Sequence, residues 1–246
     1  MGGLVVRLSG RVKALLFDVF GTVVDWRSGV IRDVTELARA KGANVDAAAF
    51  ADAWRAGYHP AMDQVRHGER PWTKLDDLHR STLDRLLGEF GFTGLAEEEK
   101  DWLNRCWHRL DPWPDAIPGL GRLKEHRVVA AFSNGNVSLL VDMAKRAGIP
   151  WDFVFSAELF RHYKPDPEFY LGAVELLSLT PPEVMLVAAH NDDLCAAGDL
   201  GLATAFVGRP GEKGPHWRDN QAPARDYTCA PADFTDLAAA LPGHGG

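Results

Sequence analysis

Cysteine is scarce, with three among 246 residues. Cys106, Cys195 and Cys229 are odd in number and lack CxxC spacing, which argues against a disulfide framework or a structural zinc site. Long apolar runs are missing as well, since none approaches the roughly 20 residues that a membrane-spanning helix needs. The start, MGGLVVRLSGRVK, has no apolar block ending in a small-residue cleavage site. The expectation is therefore a cytoplasmic chain without membrane attachment. A surplus of positive charge is likewise absent: 27 Lys plus Arg against 34 Asp plus Glu give a formal charge of -7. That argues against a nucleic-acid or anionic-membrane surface and leaves room for a small anionic substrate. There are no repeats and no low-complexity tracts.

What the chain does carry is a series of short apolar, β-rich runs: VKALLF (12–17), RVVAAF (127–132), FVFS (153–156), VMLVAA (184–189) and ATAFVG. Apolar residues at every position of a run mean burial on both faces, as in a parallel sheet covered by helices. Helical spacing follows Ser133 at Val137, Leu140, Ala144 and Ala147, with Gly148 as a stop. Thr180-Pro-Pro-Glu183 reads as a capping box, and Asp166-Pro167 as a second helix start. The fold class predicted is α/β, a doubly wound, Rossmann-like parallel sheet.

One interval breaks the rhythm. Between Asp25 and Pro112 there is no comparable strand run, only helical patterns over 28–41, 46–66, 73–90 and 96–110. The reading is a core of residues 1–26 and 112–246 with a helical cap inserted over 27–111, overhanging the carboxyl ends of the strands. After Pro210 the pattern is loop, through GEKGPHW and APARDYTCAPAD, closing on a short helix near 232–241.

Ligands of doubly wound sheets bind at the carboxyl ends of strands. The candidates at those positions are Asp18, Ser133-Asn134, Lys164 and the segment His190 to Asp193. Each alone has a plain alternative as a turn former, cap or solvated charge; the coincidence of all four is what carries weight. A carboxylate facing a lysine stays ionised and can act as a nucleophile. Ser133 and Asn134, at the start of the following helix, are suited to hydrogen-bonding an anion.

Asp18-Val-Phe-Gly-Thr22, Phe132-Ser-Asn-Gly135, Lys164-Pro-Asp-Pro and the acidic segment closing on Asp193 resemble, in order, the four motifs of the haloacid dehalogenase superfamily. Most members are magnesium-dependent phosphatases with a second aspartate two residues after the nucleophile; here that position is Phe20. Their Gly-Asp pair, whose aspartate helps to hold magnesium, corresponds to Ala188-Ala189. The pattern is closer to the L-2-haloacid dehalogenase branch, which has an aromatic residue at the place of Phe20 and uses no metal. A halide leaves without a proton.

That resemblance implies that Asp18 attacks the halogen-bearing carbon with inversion, and that water then hydrolyses the resulting ester. Thr22, Ser133 and Lys164 match positions that orient the nucleophile and hold the substrate carboxylate, and Tyr170 matches a tyrosine of the active-site network. Ala53-Trp54-Arg55 resembles the Val-Trp-Arg stretch that supplies a halide-binding arginine. Arg55, Asn134 and Phe20 are then expected to cradle the halide. The better-known members have serine at the place of Ala188 and asparagine at that of His190. Here a neutral His190 imidazole is expected to position or deprotonate the hydrolytic water, since an ordinary pKa of about 6.5 suits that task. Asp193 is expected to orient Lys164 or that water. Tyr58, His59 and Trp72 are candidate pocket-lining residues of the cap.

No metal and no cofactor is implied, although Asp192 offers a substitute metal ligand. A homodimer is common in proteins that this one resembles, but no sequence patch demonstrates it. Other readings keep the nucleophile but change the substrate, to a phosphate ester or a strained cyclic amine acid. A catalytically silent binding protein is a further alternative, against which the charge cluster of Asp18, Lys164 and Asp193 speaks.

Overall fold

A computed structural model describes residues 11–214 and 222–241. The first ten residues, on which the expectation about a leader rested, and the end of the GEKGPHW loop lie outside the described residues. The apolar runs form strands β1 (Ala14–Phe17), β4 (Val128–Ser133), β5 (Phe153–Ser156), β6 (Val184–Ala188) and β7 (Ala203–Phe206), with a two-residue pair β2 (Val24–Asp25) and β3 (Asp111–Pro112) between the first two. The five long runs make one parallel sheet in the order β5-β4-β1-β6-β7. β1 lies at the centre, with Leu16 opposite both Ala130 and Leu186. Its four residues are wholly buried, as an apolar strand covered on both faces must be.

The antiparallel pair β2–β3 sets Asp25 opposite Asp111, so the chain leaves the sheet layer and re-enters it at one point. Between them lie helices α1 (Trp26–Lys41), α2 (Ala47–Ala56), α3 (Tyr58–Arg66), α4 (Leu75–Glu89) and α5 (Glu97–Asn104), then a 3-10 turn over Arg105–Arg109. This is the helical cap of the α/β fold. The run predicted over 46–66 is broken at Gly57. Pro60 has no N–H to continue the ladder, so it sits in the first turn of a new helix. The core adds α6 (Ala116–Lys124), α7 (Val137–Ala147), α8 (Ala157–Phe160), α9 (Pro167–Leu176), α10 (Asn191–Asp199) and α11 (Phe234–Ala240). Gly148 stops α7 in the left-handed conformation at φ 71°, and Thr180 with Glu183 forms the predicted capping box.

A continuous apolar core joins the sheet residues Leu15, Val129 and Leu186 to the cap residues Trp54, Leu83 and Trp107. The cap is also held by polar contacts. His108 lies 3.1 Å from Asp76 and 2.9 Å from Asp142 on α7, while Asn136 donates to Asp76. Among the described residues, no helix is long and apolar enough to cross a membrane.

Candidate active site

The site is built where β1, β4 and β6 end. Asp18 follows β1 directly, and its N–H donates to the Val187 carbonyl at 3.0 Å, which fixes the residue as an extension of the central strand. The chain turns at Gly21 (φ 87°), a conformation that favours glycine, and brings Thr22 back beneath the carboxylate. Thr22 Oγ1 accepts the Ala189 N–H at 2.9 Å and donates to Asp18 Oδ2 at 2.7 Å. Lys164, in the loop after α8, donates to Asp18 Oδ1 at 3.1 Å and to Asp193 Oδ2 at 2.5 Å. Tyr170 on α9 donates to Asp193 Oδ1 at 2.6 Å. His190, between β6 and α10, sets Nδ1 3.0 Å from Asp18 Oδ2.

These contacts fix the charges. Burial alone would raise the Asp18 carboxyl, but Lys164 and His190 outweigh it and hold Asp18 well below the usual carboxylate range. Burial opposes the charge on Lys164 too, yet Asp18 and Asp193 raise its pKa. At Asp193 burial wins, and its carboxyl is raised despite the pull of Lys164. Asp18 thus rests as an anion, and a less acidic carboxyl stands behind its lysine.

Beside Asp18 opens a cavity of about 480 Å³ roofed by the cap. Arg55, Tyr58, His59, Asn134, Lys164 and His190 are among the residues lining it. The Arg55 guanidinium lies 4.1 Å from the centre of the Tyr58 ring. Among the described residues its Nη1 is buried and meets no hydrogen-bond partner. Other cavity arginines are paired, Arg27 with Asp52 and Arg66 with Asp63 and Asp166. Arg55 therefore offers a donor that only an incoming group can satisfy.

The family model for haloacid dehalogenase-like hydrolases matches residues 12–198. The chain belongs to that family. A curated relative, (S)-2-haloacid dehalogenase 4A of Burkholderia cepacia, is 30% identical over 210 residues, 81% of this chain and 84% of that one. An (S)-2-haloacid dehalogenase of Xanthobacter autotrophicus is 29% identical, with 80% and 76% covered. Among solved structures, one L-2-haloacid dehalogenase is 50% identical with a TM-score of 0.91, covering 94% of this chain and 98% of its own. Another, described as defluorinating, is 51% identical with a TM-score of 0.92, covering 95% and 97%.

Against this family frame, several expected placements differ. Ser133 is fully buried, its Oγ accepts the Gly135 N–H at 3.1 Å, and it does not line the cavity. Its oxygen serves its own turn as an acceptor. The start of α7 is not open to an anion either, because Glu158 already accepts the Val137 N–H at 2.9 Å. Phe20 is buried with its ring edge-on to Trp107 and does not line the cavity, so the expected halide cradle reduces to Arg55 and Asn134. Asn134 also anchors the lysine loop, its Oδ1 accepting the Lys164 N–H at 2.8 Å. Tyr58 and His59 line the cavity, whereas Trp72 stacks on Tyr163 instead.

The largest difference concerns His190. It was expected neutral, but burial, which would lower its pKa, is outweighed by Glu212 and Asp18, and the pKa is pushed up to about 10. Glu212 was passed over as part of a loop. Its signal was available, because the strand-end rule that picked Asp18 and His190 applies equally to the segment after β7.

Proposed function

We propose that the chain hydrolyses short L-2-haloacids to 2-hydroxy acids through an ester on Asp18, without a metal. The observation that carries this reading is a buried, ionised Asp18 facing the cavity while the residue two positions later, Phe20, has no proton to give. A phosphoryl transfer that releases an alcohol needs an acid at such a place; displacement of halide does not. The relatives named above support the same reaction class.

In the first step Asp18 Oδ1 attacks C2 of the substrate in line, the carbon–halogen bond breaks, and halide leaves with its electron pair. Arg55 and Asn134 are placed for the departing halide, with Lys164 in reach of the substrate carboxylate. In the second step water adds to Cγ of Asp18. One water proton passes to Asp193, whose raised carboxyl suits it to accept. As the Cγ–Oδ1 bond breaks, Lys164 gives its proton to the departing Oδ1 and recovers one from Asp193. The other water proton leaves as the new carboxylate ionises.

The donor set favours this metal-free reading, because Lys164 already bridges Asp18 and Asp193. Among the described residues no group of three or more His, Cys, Asp or Glu is arranged to hold a metal ion. Pockets of several hundred Å³ take ligands larger than a two-carbon acid, so the 480 Å³ cavity leaves room for longer 2-haloacids as well as haloacetates.

The deciding experiment is chloride release from L- and D-2-chloropropionate with and without chelator. Release from the L-acid alone, unaffected by chelator, is expected; phosphate-ester turnover lost on chelation would overturn the reading. Asp18→Asn should abolish stable turnover. A single turnover in oxygen-18 water should leave the label on Asp18, and label appearing directly in the product would mean that water attacks the substrate.

A further inference from the structure

We propose that Glu212 is a positioning residue that keeps His190 doubly protonated, so that His190 acts with Thr22 as a donor to the oxyanion on Asp18 during ester hydrolysis, not as a base. The proposal rests on the reading of Asp18 as nucleophile and concerns the second half-reaction alone.

The hydrogen bonds around His190 leave it no free lone pair. Nδ1 faces Oδ2 of an ionised Asp18 at 3.0 Å and must donate. Nε2 lies 3.0 Å from both Oε1 and Oε2 of Glu212 and must also donate. An imidazole that donates from both nitrogens is a cation and cannot take a proton from water.

Glu212 is held where it stands. It is 4% exposed, and its Oε1 accepts the Trp26 indole N–H at 3.0 Å. A Cβ on Gly21 would meet Oε1 at 2.2 Å, so the loop that carries the nucleophile is shaped to admit this carboxylate. The charges facing His190 are Asp18 at the end of β1 and Glu212 after β7, with Arg55 and His59 of the cap and Asp192 of α10 farther off. Lys164 answers the charge of Asp18 on its other side.

The need for two carboxylates follows from the reaction. When Asp18 becomes an ester its charge disappears, and a histidine supported by Asp18 alone would lose its counter-ion as hydrolysis begins. Glu212 stays charged throughout. Of the two Asp18 oxygens, Oδ1 receives Lys164, while Oδ2 receives both Thr22 and His190. When water bonds to Cγ, the carbonyl electron pair moves onto Oδ2, between two donors that are already aimed. Its return breaks the Cγ–Oδ1 bond. Donors fixed in advance on a developing oxyanion are among the larger contributors to acyl-transfer rates.

The test uses the full chain carrying Glu212→Gln, with Trp26→Phe as a milder second variant. Halide burst reports the first step and intact mass reports the ester. For Glu212→Gln the ester should accumulate and kcat at neutral pH should fall, by up to the roughly 100-fold that loss of one oxyanion donor costs. Its kcat should then decline further as pH rises and His190 loses a proton. A Glu212→Gln profile that rises with pH would make His190 a base, and a rate and profile like the wild type would give Glu212 no role; either overturns the proposal. Nitrogen-15 spectra of the histidine rings provide a readout that needs no turnover. Wild-type His190 should remain doubly protonated through neutral pH, and titration near 6.5 would overturn the proposal. Absence of any halide release by the wild type would instead refute the dehalogenase reading, while the spectra would still decide the state of His190.

Discussion

Replacing Lys164 with methionine removes one charge and little volume. Nζ lies 3.1 Å from Asp18, 2.5 Å from Asp193 and 4.7 Å from the centre of the Phe132 ring, a setting that an unbranched apolar side chain can fill. At 3.1 Å and an effective dielectric constant of about 20, an ammonium stabilises a neighbouring carboxylate by roughly 5 kcal/mol, or between three and four pH units. Without it, Asp18 and Asp193 share a buried site with only His190 as a nearby cation; the first proton the pair takes up goes to Asp193, the less acidic of the two, and Asp18 follows at a pH raised by those roughly three to four units. A protonated Asp18 is a poor nucleophile. First-turnover halide release by Lys164→Met, followed by rapid quench, should therefore lose its rate on acidification at a pH roughly three to four units higher than in wild type. On that acid limb the rate should rise about tenfold per unit as pH is raised, until Asp18 ionises. An acid limb that stays where the wild type has it would refute the argument that Lys164 keeps Asp18 charged.

Three further outcomes follow from the same geometry. Arg55→Ala should lower kcat/KM for 2-chloropropionate by about 10- to 100-fold, the worth of a hydrogen bond to a charged group; Arg55→Lys should recover only part of this, because the planar fork over Tyr58 is lost. An unchanged kcat/KM would remove Arg55 from the site. Burial opposes charge on His108, but Asp76 and Asp142 outweigh it and raise its pKa, so its stabilising effect is full below about pH 6.5 and is lost as pH rises through the folded value. The Tm of wild type relative to His108→Asn should therefore fall with rising pH, and parallel curves would contradict this. Gly119→Ala places a Cβ 2.4 Å from that of Phe234 between α6 and α11, and should cost about 1–3 kcal/mol in urea unfolding; a neutral result would mean that α11 shifts without penalty.

Legibility in the sequence differed from residue to residue for physical reasons. The central strand was readable because a stretch buried on both faces must be apolar throughout, and ALLF is. Asp18 and His190 were readable as polar residues at strand ends. Arg55 was readable only through the resemblance of a three-residue stretch, because nothing in a helical repeat distinguishes a buried guanidinium from a solvated one. The burial of Ser133 was not legible, because the hydroxyl of a Ser-Asn-Gly turn can face the turn or a cavity, and only packing sets its oxygen as the acceptor of the Gly135 N–H. The break at Gly57 was written in Pro60 but obscured by apolar periodicity that runs across it.

The sequence by itself determined the parallel sheet, the helical insert, the carboxylate at the end of the central strand and the missing acid at Phe20, because these depend on residue type and local order along the chain. Tertiary structure alone decided the charge of His190. That charge depends on Glu212, which lies 22 residues further on, and on Asp18, which lies 172 residues earlier. An ionisable group takes its protonation state from what faces it across a few ångströms, and sequence separation carries no information about that distance.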